Sequence, residues 1–131
     1  MAKFSFQISD DLTRQLNALG NVDEIAPKMI KAGLPIVENE LTKRSAAHKE
    51  TGEMIASIKA IKPKKTNSGH IGIVRPTGTD SKGVRNMEKM AYLEYGTSRQ
   101  KSTPVIAPTI AATENQVHEA MQQKFNEEIN K

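Results

Sequence analysis

The sequence predicts an α+β fold: a small antiparallel sheet of three to four strands packed against a long, kinked helix in the N-terminal half and a second helix at the C-terminus. Three observations carry this. Phe4, Phe6 and Ile8 alternate with polar residues, and a similar alternation returns near residues 58–61 and 70–74, the period of two of a half-buried strand. Val22, Ile25, Met29, Gly33, Val37 and Leu41 recur at helical spacing, a stripe widened by Ala26, Ile30 and Leu34. Ile110, Val117, Met121, Phe125 and Ile129 form a comparable stripe near the end of the chain.

Taken in order, the first strand covers residues 2–8. Ser9, Asp10 and Asp11 then offer N-caps for a short helix carrying Leu12, Leu16 and Leu19, which Gly20 stops. The long helix starts near Asn21 or Asp23. Pro27 is tolerable within about its first turn, whereas the ring of Pro35 clashes with the carbonyl four residues back and predicts a kink. The helix is expected to reach about His48, before Thr51-Gly52. Residues 54–62 begin as a turn or short helix and become a strand. Residues 63–68 read as a turn or loop, and residues 70–75 as the partner strand of a hairpin. A polar loop near 76–86 has no apolar anchor and is expected to be mobile. Met87, Met90, Ala91 and Tyr95 suggest a helix over 86–95 that ends at Gly96. Alternation of Ala91, Leu93 and Tyr95 suits a strand equally, and the helix is preferred. A second polar, basic loop covers 98–103, and Pro108 stands in the first turn of the last helix.

The 131 residues form one domain, 1–131, with those two loops as its mobile parts. Without Trp, and with only three Phe and two Tyr, the core must be aliphatic. The absence of cysteine excludes disulfides, thiolate zinc sites and cysteine nucleophiles. No apolar run approaches the roughly 20 residues of a membrane-spanning helix, and Met1-Ala2-Lys3 leads into the first strand without a signal-peptide apolar region. Charge is uneven. Residues 51–101 hold ten Lys/Arg against four Asp/Glu, residues 1–50 are balanced, and residues 102–131 hold two against four. Such asymmetry marks either a nucleic-acid footprint or complementary subunit contacts.

No catalytic constellation stands out. His48, His70 and His118 are far apart and lack metal-ligand spacing, so solvated or lightly packed imidazoles are expected. Thr77-Gly78-Thr79-Asp80-Ser81-Lys82-Gly83 superficially resembles a phosphate loop but lacks its glycine and lysine spacing. Glu94, between Tyr92 and Tyr95, has no nearby histidine or second acid, which favours a carboxylate that caps backbone amides or pairs with a cation over an acid catalyst of hydrolysis. Lys59, Lys62, Lys64, Lys65, Arg75 and Arg99 suit phosphate contacts. Without a stacking platform or a helix-turn-helix pattern, they read first as a solvated hairpin edge guarded by lysines.

The order of the pieces carries more. Thr51-Gly52-Glu53-Met54-Ile55-Ala56-Ser57-Ile58 follows the long helix; a hairpin, Tyr92-Leu93-Glu94-Tyr95-Gly96-Thr97 and Pro104-Val105-Ile106-Ala107-Pro108 come next. Over residues 22–131 this resembles the head–tail joining or tail-completion proteins of long-tailed bacteriophages and prophages. In that family a Thr-Gly-x-Leu-x-x-Ser-Ile turn precedes the sheet, and Tyr-x-Glu-aromatic-Gly-Thr precedes a Pro-Phe-x-x-Pro step. Met54 replaces the leucine, Val105 stands where the pattern has an aromatic, and Ala107 where arginine is common. The resemblance implies a structural subunit without enzymatic activity or cofactor. It implies a virion protein of the neck or tail, made in the bacterial host cytoplasm. Its partners would be the connector, tail terminator and tail tube. It implies homo-oligomeric rings, sixfold to match the tail, around a channel where lysines tolerate passing DNA non-specifically, with no role for a membrane. The basic middle and acidic end supply a candidate pair of contact surfaces for such a ring. A small basic nucleic-acid-binding module is the alternative.

Overall fold

The computed structural model describes residues 4–7, 12, 20, 22–48, 52–67 and 69–129. Helix α1 (Val22–Ser45) is the centre of the α+β architecture. Its expected stripe is buried: Ile25, Ala26, Met29, Ile30, Leu34, Val37 and Leu41 all lie in the core, and each of these apart from Ala26 is worth about 1.5–3 kcal/mol of apolar burial. Asp23 and Glu24 in the first turn and Lys43 and Arg44 in the last complement the helix dipole. Pro35 is exposed, so the carbonyl it leaves without a partner is on the solvent side, and helical structure continues through it to Ser45. A 3-10 turn, Ala46–His48, ends the element.

Strands β2 (Ile58–Thr66) and β3 (Gly69–Pro76) form an antiparallel hairpin. Strand β1 (Phe4–Gln7) pairs antiparallel with the other edge of β3, giving the order β1-β3-β2. A fourth strand is absent among the described residues. The turn or loop expected over 63–68 is mostly strand instead, because β2 runs on to Thr66. The register shift between Ile61 and Lys64 accommodates Pro63, and β2 is an edge strand, where a missing ladder N–H is tolerated. Thr66 Oγ1 donates to the Gly69 carbonyl (3.0 Å) across the tip.

The sheet lies close on α1. A Cβ at Gly72 would collide with Cγ2 of Ile30 and stand 3.0 Å from Cδ2 of Leu34, so glycine is what lets helix and sheet approach. Strand alternation puts Ile58, Ala60, Gly72 and Val74 on this inner face, and the packing of Ile30 and Leu34 against Gly72 fixes which face it is.

A short helix, α2 (Glu53–Ala56), precedes the hairpin, and α3 (Asn86–Tyr95) follows it. Met87, Met90 and Leu93 of α3 enter the core, as the helical reading of 86–95 requires. Helix α4 (Ile106–Ile129) runs antiparallel to α1. Lys28 Nζ reaches Glu128 Oε2 at 3.3 Å near one end of the pair, and Arg44 and His48 share a crevice with Pro104 and Val105 near the other.

Val117, Met121 and Phe125 of α4 are buried as expected, but Ile110 is 43% exposed. Thr109 and Thr113 take the buried positions instead, since stepping back by fours from Phe125 leads to them. Their hydroxyls donate to the carbonyls of Val105 (2.6 Å) and Thr109 (2.8 Å), which removes the penalty of burying them. Leu12 is helical and packs on the core. Ile8, Leu16 and Leu19 lie outside the described residues, as do the side chains of Phe4, Phe6 and Ile129. Among the described residues no helix is long and apolar enough to cross a membrane.

Candidate functional site

The segment from Tyr92 to Pro108 folds as a clasp between two helices. Gly96 follows α3 with φ 76 and ψ 175, a region essentially confined to glycine. Its N–H donates to the Tyr92 carbonyl (2.8 Å) and closes the helix. The chain then doubles back. Thr97 N–H donates to Gln100 O (2.8 Å), and Thr103 N–H to Leu93 O (2.7 Å).

This return brings residues 105–107 under the Glu94 carboxylate. Oε2 accepts the N–H groups of Val105 and Ile106, each at 2.8 Å, and Oε1 accepts that of Ala107 at 3.1 Å. The leading N–H groups of a helix have no intrahelical acceptor and sit at the positive end of its dipole, which is where an anion is most useful. Glu94 thus caps backbone amides, the plainer of the two roles expected for it. Tyr95 is 71% exposed and Tyr92 41%. The Tyr92 hydroxyl donates to Glu88 Oε1 at 2.6 Å, and that bond raises the phenol pKa above its ordinary value.

The Ser57-Ile58 motif is also structural in its contacts. Ser57 Oγ donates to Met54 O (2.6 Å) and ends α2, while its carbonyl accepts both the N–H (3.0 Å) and the hydroxyl (2.9 Å) of Thr77. Ile58 enters the core. Gly52 precedes α2 with a positive φ of 72; Thr51 lies outside the described residues.

Against expectation, the loop near 76–86 has an apolar anchor at its start, the buried Pro76, and it has a polar one as well. Asp80 Oδ1 accepts the N–H groups of Lys82 (2.8 Å) and Val84 (2.9 Å), and Oδ2 pairs with Lys89 on α3. Asn86 adds a bond from Nδ2 to Thr77 O at 2.8 Å. The Lys89 hydrogen bond first, and the Val84 N–H next, lower the Asp80 pKa below its ordinary value. A depressed carboxylate contributes stability that is present above its unfolded pKa, about 3.9, and lost as pH falls through the lower folded value. Asp80→Asn is therefore expected to destabilise the protein at pH 7 and to weaken the acid limb below about pH 4. Thermal melts between pH 2 and 7 measure this; an unchanged acid limb in the variant argues against the anchor.

These motifs gather at one end of the molecule. Gly52, Met54, Asp80, Lys89, Tyr92 and Gln100 line an open cleft of about 540 Å³, and Pro104 and Val105 border a neighbouring crevice at the C-terminal end of α1. The basic candidates do not gather there. Lys65, itself exposed, pairs with Asp23 Oδ1 (3.1 Å), which also lies 3.3 Å from His70 Nε2. Lys59, Lys62 and Lys64 are exposed along β2, Arg75 is opposite Lys59, and Arg99 is in the 98–103 loop, next to the cleft-lining Gln100. Among the described residues no group of His, Asp and Glu is placed to hold a metal.

No family model, curated protein or solved structure matches the chain.

Two contacts escaped sequence reasoning. His70, expected to be solvated or lightly packed, is buried with Nε2 3.3 Å from Asp23 Oδ1, because its strand position faces α1. The Asp80 turn was readable, since an Asp followed by Ser, Lys and Gly is the composition of a side-chain-capped turn.

Proposed function

We propose that the chain is a structural subunit of the neck or tail of a long-tailed bacteriophage or prophage, a head–tail joining or tail-completion protein that works by assembly and not by catalysis. The observation that supports this most is the clasp. The segments that carry the resemblance, residues 92–97 and 104–108, are spent on joining α3 to α4. Glu94 gives both its oxygens to main-chain donors. Tyr95 and part of Tyr92 remain on the surface beside the clasp, where a neighbour can cover them. On this reading the subunit joins a ring, sixfold like the tail, and meets the connector, tail terminator and tail tube in the virion. Lysines facing the channel touch DNA without reading its sequence. The test is deletion of the gene from its phage. Filled heads and separate tails are expected, with joining restored by the gene supplied in trans; normal, infectious particles without it would end the proposal.

A small basic nucleic-acid-binding module is the second reading. Its support is that Lys59, Lys64 and Arg75 occupy one face of the hairpin. Titration with duplex and single-stranded DNA at two salt concentrations decides it, because phosphate contacts must weaken steeply with salt. Absence of salt-sensitive binding at low ionic strength excludes it.

A further inference from the structure

We propose that the open cleft at the motif-rich end of the molecule seats an acidic, extended peptide segment of a partner protein, with one apolar side chain of that segment on the cleft floor. The inference rests on the assembly reading above and names the chemistry of the partner that the subunit meets there.

The cleft has room for a short segment. Its volume of about 540 Å³ lies within the range of sites that enclose small ligands, about 300–1,000 Å³. Ala47, Met54, Ile55 and Leu93 give it an apolar lining. Met54 and Leu93 are also core residues, so the packing of the fold holds that part of the wall in place. Tyr92 stands beside them, 41% exposed, with its hydroxyl already tied to Glu88. A side chain fixed in advance loses little freedom when a partner covers it.

Charge around the cleft is one-sided. Lys82 and Lys89 line it against a single acid, Asp80, and Asp80 is occupied by Lys89 and by the N–H groups of Lys82 and Val84. The neighbouring crevice, which shares Ala47 and His48 with the cleft, has Lys43 and Arg44 against Glu40, and Glu40 pairs with Arg44 at 2.8 Å. Glu53 and Glu88 nearby each accept a hydrogen bond from within the chain. The ammonium groups of Lys43 and Lys82 are exposed and have no ion pair among the described residues. What remains uncompensated is positive, so the complementary partner is negative.

An extended peptide satisfies the floor and the rim together. Successive residues of an extended chain point to opposite sides, so an apolar side chain seated on Met54, Ile55 and Leu93 leaves its flanking carboxylates towards the lysines. A phosphate backbone would use the lysines and bring nothing to the floor. The acids of the C-terminal part of this chain, Glu114, Glu119, Glu127 and Glu128, are all on helix α4, so a second copy does not offer them in extended form.

The test is a titration of the full chain, followed by amide NMR at about 0.15 M salt, with the synthetic peptide Gly-Asp-Glu-Leu-Asp-Glu-Gly. Amide shifts at Gly52, Ile55, Lys82 and Gln100 are expected to saturate as the peptide passes about 1 mM. Serine in place of the peptide's leucine should weaken binding at least about tenfold. Lys82→Glu should weaken it at least about fivefold. Lys31→Glu is the control: it makes the same charge change at another exposed lysine, sixteen residues or about 24 Å along helical chain from Ala47, and should leave binding unchanged. Circular dichroism checks that both variants fold. No shift at these amides, or an equal loss in the two variants, overturns the inference. Shifts at the same amides with a duplex DNA and none with the peptide overturn it in favour of nucleic acid. Self-association of the free chain that Lys82→Glu abolishes overturns it in favour of a second copy. A cleft that ignores the peptide leaves the neck proposal resting on its gene deletion, whereas a saturating cleft together with a silent deletion retains the site and removes the neck.

Discussion

Replacing Glu94 with alanine is expected to destabilise the protein by about 2–3 kcal/mol and to lower the midpoint of thermal unfolding by roughly 10 °C. Three N–H groups at the start of α4 lose their acceptor at once, and Val105 and Ile106, which own two of them, are buried. Ordinary caps contribute about 0.5–2 kcal/mol, and hydrogen bonds to charged groups about 1.5–3 kcal/mol each. The three share one carboxylate and do not add, so the loss lies just above the capping range. Glu94→Gln keeps one oxygen and removes the charge, and about half the loss is expected from it. Hydrogen exchange localises the effect: the amides of 105–107 should lose protection before the remainder of α4. A variant as stable as wild type, with those amides still protected, would show that the helix start is held by something other than Glu94.

Gly96→Ala is expected to cost about 2–4 kcal/mol. The backbone there occupies a region that costs other residues about 1–3 kcal/mol. The added methyl would also stand 2.9 Å from the Ser102 nitrogen and 3.0 Å from the Gln100 carbonyl oxygen. Both are main-chain atoms inside the return loop, so neither can swing aside as a side-chain tip would. Gly78 is the control. Its φ is likewise positive, at 67, but a Cβ there meets nothing within 4 Å. Alanine at 78 should cost only the conformational part, about 1–2 kcal/mol. Chemical denaturation of the two variants side by side separates strain from collision, and equal losses would refute the steric half of the account.

Much of the fold was legible because its long helix is strongly periodic. The stripe from Ile25 to Leu41 has two packing partners, the sheet and α4, so nearly every apolar residue in it is buried. Helix α4 was read less well at its start, where Ile110 stood out as apolar and Thr109 and Thr113 did not. Threonine that can bond back to a carbonyl behaves as a small apolar residue in a helix, and composition alone conceals this. Pro63 concealed the second half of β2 in a similar way, because the bulge that admits it depends on the register with β3. At the candidate site, the capping role of Glu94 followed from its lack of catalytic company. Its three donors, eleven to thirteen residues along the chain, did not, since only the turn at Gly96 brings them back. The polar anchoring of Asp80 was missed because apolar anchors were the ones sought.

The Glu94 clasp recognises main chain and nothing else. Valine at 105 and alanine at 107 serve it as any residue but proline would, because an amide N–H has no side-chain identity. What the clasp forbids is an imino acid. The prolines of this segment obey that grammar: Pro104 stands one residue before the first donor and Pro108 one residue after the last. The side chains between them answer to a separate demand, the core that buries Val105 and Ile106, while the distance between the two prolines is fixed by the span of one carboxylate.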